Sequence, residues 1–268
     1  MINGERIIVS MTSYPKRIIN VGKAIYFLLT KQTVEPDEIH LWLAEPEFPN
    51  KEKDLPNDLK QIIEVCNNIF LHWLPKNTYC HKRHEYFNIA KDNDCIFIID
   101  DDTYYANNLI EAVMNWHKKY PNAIISYNSA SIHRYAGKHI LYPDTPMCQP
   151  PKVNFGRING NSMFPFKVVP KAVYEKGYAE TRDRCTPICD ESWITPWLVY
   201  FDVPIIWLNF GWGTEINRTK VRMNEGLVSQ THKIEANGLE RRDNWLANVL
   251  DAFPKIKEKY ERLFNYGK

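Results

Sequence analysis

Along the first half of the chain, short apolar runs alternate with stretches in which apolar residues recur every three or four positions, the pattern of strands alternating with amphipathic helices. Arg6 to Met11 is apolar and β-branched and ends at Ser13-Tyr14-Pro15, which predicts a buried strand entering a loop. Val21, Ala24, Ile25, Leu28 and Leu29 follow at helical spacing, and Glu38 to Leu43 supplies a second strand. After a Pro- and Glu-rich loop, Ala44 to Leu55, Asn57 is placed to cap a helix carrying Leu59, Ile62 and Ile63, with a strand at Ile69 to Leu74. Tyr86, Phe87 and Ala90 suggest another helix before Cys95 to Ile99, whose unbroken apolar character predicts a strand covered on both faces. A helix from about Asn108, with Leu109, Ala112, Val113 and Trp116 inward, precedes a strand at Ala123 to Tyr127.

The second half is less regular. Ser131 to Tyr142 has hairpin character, Tyr142 to Gly156 is a Pro-rich loop, and Asp190 to Phe201 is a helical patch before a strand at Ile205 to Leu208. Leu246, Val249, Leu250 and Phe253 form a helical stripe that Ile256, Tyr260, Leu263 and Phe264 continue on a basic helix after Pro254. No internal repeat interrupts this order. The alternation predicts an α/β protein with an open, mostly parallel sheet, whose ligands sit outside the carboxyl ends of the strands.

The 268 residues are 44% hydrophobic, enough for a substantial core and against intrinsic disorder. Lys plus Arg count 34 against 32 Asp plus Glu, a net charge of +2, which lacks the basic excess of a non-specific nucleic-acid binder. Six cysteines without regular spacing, and an opening Met-Ile-Asn-Gly-Glu-Arg without signal-peptide character, predict reduced thiols and a cytoplasmic location. The most apolar stretch, Trp193 to Leu208, is broken by Pro196, Asp202 and Pro204, so no transmembrane segment is expected.

Candidate chemistry centres on Asp100-Asp101-Asp102, directly after the predicted strand Cys95 to Ile99. In an extended segment Asp100 and Asp102 point to one side and Asp101 to the other. Two converging carboxylates repel unless one protonates or a hard cation such as Mg²⁺ or Mn²⁺ bridges them, and a bound diphosphate would complete such a coordination shell. The competing interpretation is a solvated acidic turn or helix cap. An aspartyl phosphatase motif of the form Asp-x-Asp-x-Thr fails at Tyr104, and no P-loop or G-x-G-x-x-G turn occurs.

Three segments in order, Ile7 to Arg17, Ile98-Ile99-Asp100-Asp101-Asp102, and Asp190-Glu191-Ser192-Trp193, resemble bacterial nucleotide-sugar glycosyltransferases of the GT-A fold, most nearly the family 2-like enzymes of surface-polysaccharide assembly. The resemblance is scattered from about residue 6 to residue 250. It implies a GT-A catalytic domain over residues 1–238, divided into a nucleotide-binding half (about 1–128) and an acceptor-binding half (about 129–238), with C-terminal helices over 239–268. It implies a nucleoside-diphosphate sugar as donor, a UDP sugar first, and a saccharide or lipid-linked saccharide as acceptor in capsule or lipopolysaccharide synthesis. Mn²⁺ or Mg²⁺ would be held mainly by Asp102, with Asp100 toward the ribose or donor sugar and Asp101 beside them. Thr12 and Ser13 would bond base or ribose, Arg17 would face the diphosphate, and Lys82, favoured over Arg83, would offset phosphate charge. Asp190 or Glu191 would be the acceptor-side base of an inverting reaction, Asp190 ahead of Glu191; either is also an ordinary first-turn helix acid.

The resemblance further implies a donor-binding loop at Asn159-Gly160, also explicable as a plain turn, and His232 as a third metal ligand, also explicable as a structural histidine. Cys80-His81 with His84, and Cys185 with Cys189, lack a full tetrahedral set at familiar spacing, so no zinc is assigned. Trp207, Phe210 and Trp212 suit either an acceptor platform or the core. The helix from Lys255 to Tyr260 suits peripheral contact with an anionic membrane, or simply a solvated surface. Two alternatives remain: a metal-dependent nucleotidyl or phosphoryl transferase, and a non-catalytic carbohydrate-binding protein on the same fold.

Overall fold

The computed structural model describes residues 4–103, 105–126, 162–207 and 238–264, without the side chains of 207, 238–244 and 263–264. Among the described residues seven strands form one sheet: β1 (Arg6–Thr12), β2 (Glu38–Ala44), β3 (Ile69–Leu74), β4 (Asp94–Ile98), β5 (Ile124–Ser126), β6 (Ser162–Pro165) and β7 (Ile205–Trp207). Their order is β3-β2-β1-β4-β6-β5-β7. β1, β2, β3 and β4 are parallel, β5 and β7 are parallel, and β6 lies antiparallel between β4 and β5. The α-helices among the described residues are α1 (Ile18–Thr30), α2 (Asn57–Val65), α3 (Leu109–Lys119), α4 (Ala179–Cys185), α5 (Asp190–Tyr200), α6 (Gly238–Ala252) and α7 (Pro254–Phe264). This is the α/β arrangement the alternation predicts, a mostly parallel sheet flanked by helices with a C-terminal helical region.

Residues along β1 alternate between two cores, which is why the strand reads as continuously apolar. Ile7, Val9 and Met11 pack with Val21, Ile25 and Leu28 of α1, Leu59 of α2 and Ile110 and Val113 of α3. Ile8, with Ile96 and Ile98 of β4, faces Trp193, Trp197 and Leu198 of α5 and Leu246, Val249, Ile256 and Tyr260 of α6 and α7. Among the described residues no helix is long and apolar enough to cross a membrane.

Three sequence expectations change. The segment around Tyr86 and Phe87 is a 3₁₀ helix, Tyr79–Asn88, because it buries His81, Lys82, Arg83 and His84 rather than an apolar stripe. β6 occupies residues expected to follow a simple turn; its register pairs Ser162 with both Ile98 and Ser126. β4 stops at Ile98, so Asp100, Asp101 and Asp102 lie in a turn rather than an extended segment, with Thr103 N–H donating to the Asp100 carbonyl at 3.4 Å. The expected hairpin at Ser131 to Tyr142 and the Pro-rich loop lie outside the described residues.

Candidate functional site

The carboxyl ends of β1 and β4 are adjacent, since Ser10 is in register with Ile98. Beyond β1 the chain turns at Ser13-Tyr14-Pro15, and the Tyr14 carbonyl accepts from the amides of Arg17 and Ile18, each at 2.9 Å. That turn sets Arg17 at the start of α1, facing the acidic turn. Arg17 pairs with Asp101, and its Nη2 lies 2.7 Å from an oxygen of Asp102. Ser13 Oγ donates to the other Asp101 oxygen at 2.6 Å. Asp101 and Asp102 therefore converge on one guanidinium, whereas an extended strand would have paired Asp100 with Asp102. Burial pushes the Asp101 carboxyl up to about 7, Arg17 and Ser13 pulling it down and Asp102 and Asp100 pushing it further up.

Asp100 is the most open of the three, one third exposed, and its amide donates to the Tyr105 hydroxyl at 3.0 Å. One of its oxygens accepts from Arg83 Nη1 at 2.8 Å. The same guanidinium grips Asp190, at the first turn of α5, through Nε at 2.7 Å and Nη2 at 3.0 Å. His84 Nε2 adds a contact of 2.8 Å to Asp190. Burial lowers the His84 pKa, so the ring is neutral near pH 7 and donates through Nε2. Burial also opposes the Asp190 charge, but Arg83 and His84 outweigh it and hold the carboxyl well below its ordinary range. The Arg83 carbonyl accepts from Ser10 Oγ at 2.6 Å, which anchors the 3₁₀ helix to β1.

Asp100, Asp101, Asp102, Ser13 and Arg17 are thus one cluster, joined to Asp190 through Arg83. Lys82 is buried and bonded to Glu47 at 2.8 Å, Asn77 at 3.1 Å and the Ser13 carbonyl at 3.4 Å, so its charge is already met beside the cluster. Thr12 Oγ1 donates to the Trp42 carbonyl at 2.7 Å. Glu191 is half-buried next to Asp190. Asn159, Gly160, His232, Phe210 and Trp212 lie outside the described residues, as does the side chain of Trp207. Arg83 was second choice to Lys82 on sequence grounds, yet it is Arg83 that reaches both acidic segments. Glu47, in a loop of mixed charge, carried no site signal in the sequence, and His84 was weighed only with Cys80 and His81 as an incomplete zinc set.

Four carboxylates, Asp100, Asp101, Asp102 and Asp190, share two guanidinium groups here, leaving an anionic surplus made of hard oxygen donors. Carboxylate oxygens are the hard donors that Mg²⁺ and Mn²⁺ take, but Asp100 is held by Arg83 and Asp102 by Arg17, so the two are not paired as the sequence predicted. The cluster also sits where open α/β sheets bind ligands, outside the strands' carboxyl ends.

No protein family's sequence profile matches the chain, and no curated protein does. Solved structures do. Residues 1–349 of S. aureus TarS in complex with UDP are 8% identical, covering 96% of this chain and 91% of that one at a TM-score of 0.47. The same TarS segment in complex with UDP-GlcNAc is 9% identical, covering 97% and 74% at 0.49. The 4-diphosphocytidyl-2C-methyl-D-erythritol synthase of Anaerococcus prevotii DSM 20548 is 13% identical, covering 83% and 94% at 0.50, a likeness of fold.

Proposed function

We propose that the protein is a metal-dependent glycosyltransferase that moves a sugar from a nucleoside-diphosphate sugar, a UDP sugar first, to a saccharide acceptor. The observation that carries this reading is the acidic turn after β4, buried against Ser13 and Arg17 at the mouth of β1 and tied by Arg83 to Asp190 on α5. A bare surface turn has no reason to bury Asp101 between a serine and an arginine. A bound divalent cation would supply charge neutralisation for the departing diphosphate.

The chain's own residues divide the remaining work. Ser13 and Thr12 line the mouth of β1 on the nucleotide side, and Arg17 is the cation beside the diphosphate. Arg83 fixes Asp100 and Asp190 relative to one another. With both oxygens of Asp190 bonded and its pKa depressed, Asp190 is a poor proton acceptor and acts as a positioning residue; Glu191 takes the role of base. The acceptor oxygen attacks the anomeric carbon as the bond to the diphosphate oxygen breaks, and the hydroxyl proton passes to Glu191. Asn159-Gly160 and His232 stay in the proposal as donor loop and third metal ligand. Surface-polysaccharide synthesis is the proposed setting.

The test is thermal unfolding with UDP, GDP, CMP and TDP, each with and without Mn²⁺. A ligand at about a hundred times its dissociation constant stabilises the fold by about 2.7 kcal/mol, roughly 5–10 °C at this size. The expected result is an Mn²⁺-dependent shift with one nucleotide that Asp102→Ala abolishes; Arg17 keeps Asp101 as its partner in that variant. No shift with any pair would overturn the proposal. The same sheet also hosts a nucleotidyl transferase, and product analysis separates the two: free nucleoside diphosphate marks sugar transfer, whereas pyrophosphate marks nucleotidyl transfer.

A further inference from the structure

At the opposite edge of the sheet, where the strands begin, three residues far apart in sequence meet. Glu5 immediately precedes β1, Cys95 is the second residue of β4, and His117 is in the last turn of α3. The register sets two of them side by side: Ile7 is the partner of Cys95, and Glu5, two residues before Ile7, projects to the same face. α3 packs on that face through Val113 and Met114, which brings His117 down onto the strand ends. One ring nitrogen of His117, the Cys95 sulfur and a carboxylate oxygen of Glu5 all lie within 4.8 Å of one another.

His117 Nε2 and Glu5 Oε1 are 3.0 Å apart, while His117 Nδ1 is buried with no hydrogen-bond partner. Cys95 and His117 are each about 1% exposed, and Glu5 is partly open, so the cluster has a dry interior and an access side. A buried imidazole with an unmatched nitrogen next to a thiol is poorly explained by packing alone. Carboxylate, imidazole and thiolate together are a donor set that suits Zn²⁺, whereas Mg²⁺ and Mn²⁺ take oxygen-rich shells.

We infer that Glu5, Cys95 and His117 form a Zn²⁺ site, with water at the fourth position, that ties the end of α3 to the starts of β1 and β4. It is separate from the acidic cluster, which lies at the other end of the same strands. Binding replaces the thiol proton, which leaves to solvent, by a zinc-sulfur bond. A site built from three distant segments joins these strand and helix ends in the folded state only, so the metal stabilises the fold without touching the transfer chemistry.

The full-length protein, stripped with a chelator and returned to metal-free buffer, is titrated with Zn²⁺ and separately with Co²⁺. One tight Zn²⁺ equivalent per chain, a rise in unfolding temperature, and a near-ultraviolet thiolate-to-Co²⁺ charge-transfer band are expected. Cys95→Ser should abolish the band, and His117→Gln should weaken zinc affinity by at least tenfold. Asp102→Ala should leave both signals intact, which separates this site from the proposed donor site. Glu5→Gln, at the open side, tests the site with the two buried ligands in place and should lower affinity while the band persists. Absence of a thiolate band in the folded wild-type protein, or a band that survives in Cys95→Ser, overturns the assignment.

Discussion

Replacing Arg83 by Met is the most informative perturbation of the acidic network. The guanidinium makes two bonds to Asp190, at 2.7 and 3.0 Å, and one to Asp100, at 2.8 Å. Asp100 is one third exposed and regains water, so little of the cost arises there. Asp190 is different: its side chain is 4% exposed, and removing Arg83 leaves a buried carboxylate with His84 as its remaining named partner. Breaking a buried pair by deleting one member costs about 3–5 kcal/mol, which at this chain length lowers the unfolding midpoint by roughly 6–20 °C. Removing both charges relieves that penalty, so Arg83→Met with Asp190→Leu should be several kcal/mol more stable than the sum of the single losses predicts. Urea unfolding of the four proteins at neutral pH measures the coupling. A loss below about 1 kcal/mol in Arg83→Met, or additive single and double losses, would refute the claim that Arg83 exists to neutralise Asp190.

Lys82→Met should cost less than Arg83→Met in the same assay, because its partner Glu47 is one fifth exposed and can be hydrated once the ammonium is gone. Trp193, fully buried in α5, donates from Nε1 to the Val173 carbonyl at 2.6 Å; Trp193→Phe should lose about 1–3 kcal/mol through the unpaired carbonyl, and Trp193→Ala about 3–5 kcal/mol through the cavity, both read by chemical denaturation. Burial lowers the His81 pKa from 6.5 to about 4, so the folded protein resists protonation that the unfolded chain accepts. The neutral ring's contribution is fully present above pH 6.5 and disappears as pH falls through 4, a loss of about 3 kcal/mol. His81→Asn should reduce the slope of stability against pH within that window, His72, also lowered to about 4, keeping part of it, and an unchanged slope would show that His81 is not a source.

β1, β2 and β4 were legible because each is buried on both faces and carries its own apolar run, as in Ile7 to Met11 and Cys95 to Ile98, whereas β3, an edge strand with Phe70 exposed, was legible from its apolar run alone. The 3₁₀ helix Tyr79–Asn88 was not: its fold depends on partners such as Asp190 and Glu47, more than thirty residues away, and no local pattern announces that Lys82 and Arg83 go inside. β6 is four residues long and ends in a proline, so it leaves too little periodicity to register. The acidic run itself was visible by composition and by its place after a strand. Its internal geometry was not, since pairing Asp101 with Asp102 depends on β4 ending at Ile98 and on Arg17 arriving from β1. The Glu5, Cys95 and His117 cluster is invisible to spacing rules, because its members meet only through strand register and helix docking.

The antiparallel placement of β6 has a consequence for how such a chain can diversify. β5 ends at Ser126 and β6 begins at Ser162, and these two are register partners beside Ile98, so residues 127–161 leave from and return to the edge that carries the acidic turn. β7, parallel to β5, delivers residue 208 to that edge as well. Both stretches join the chain beside the acidic turn, with their junctions on strands whose pairing is fixed by buried residues. Sequence change between those junctions therefore reaches the acidic turn while the described strands keep their register.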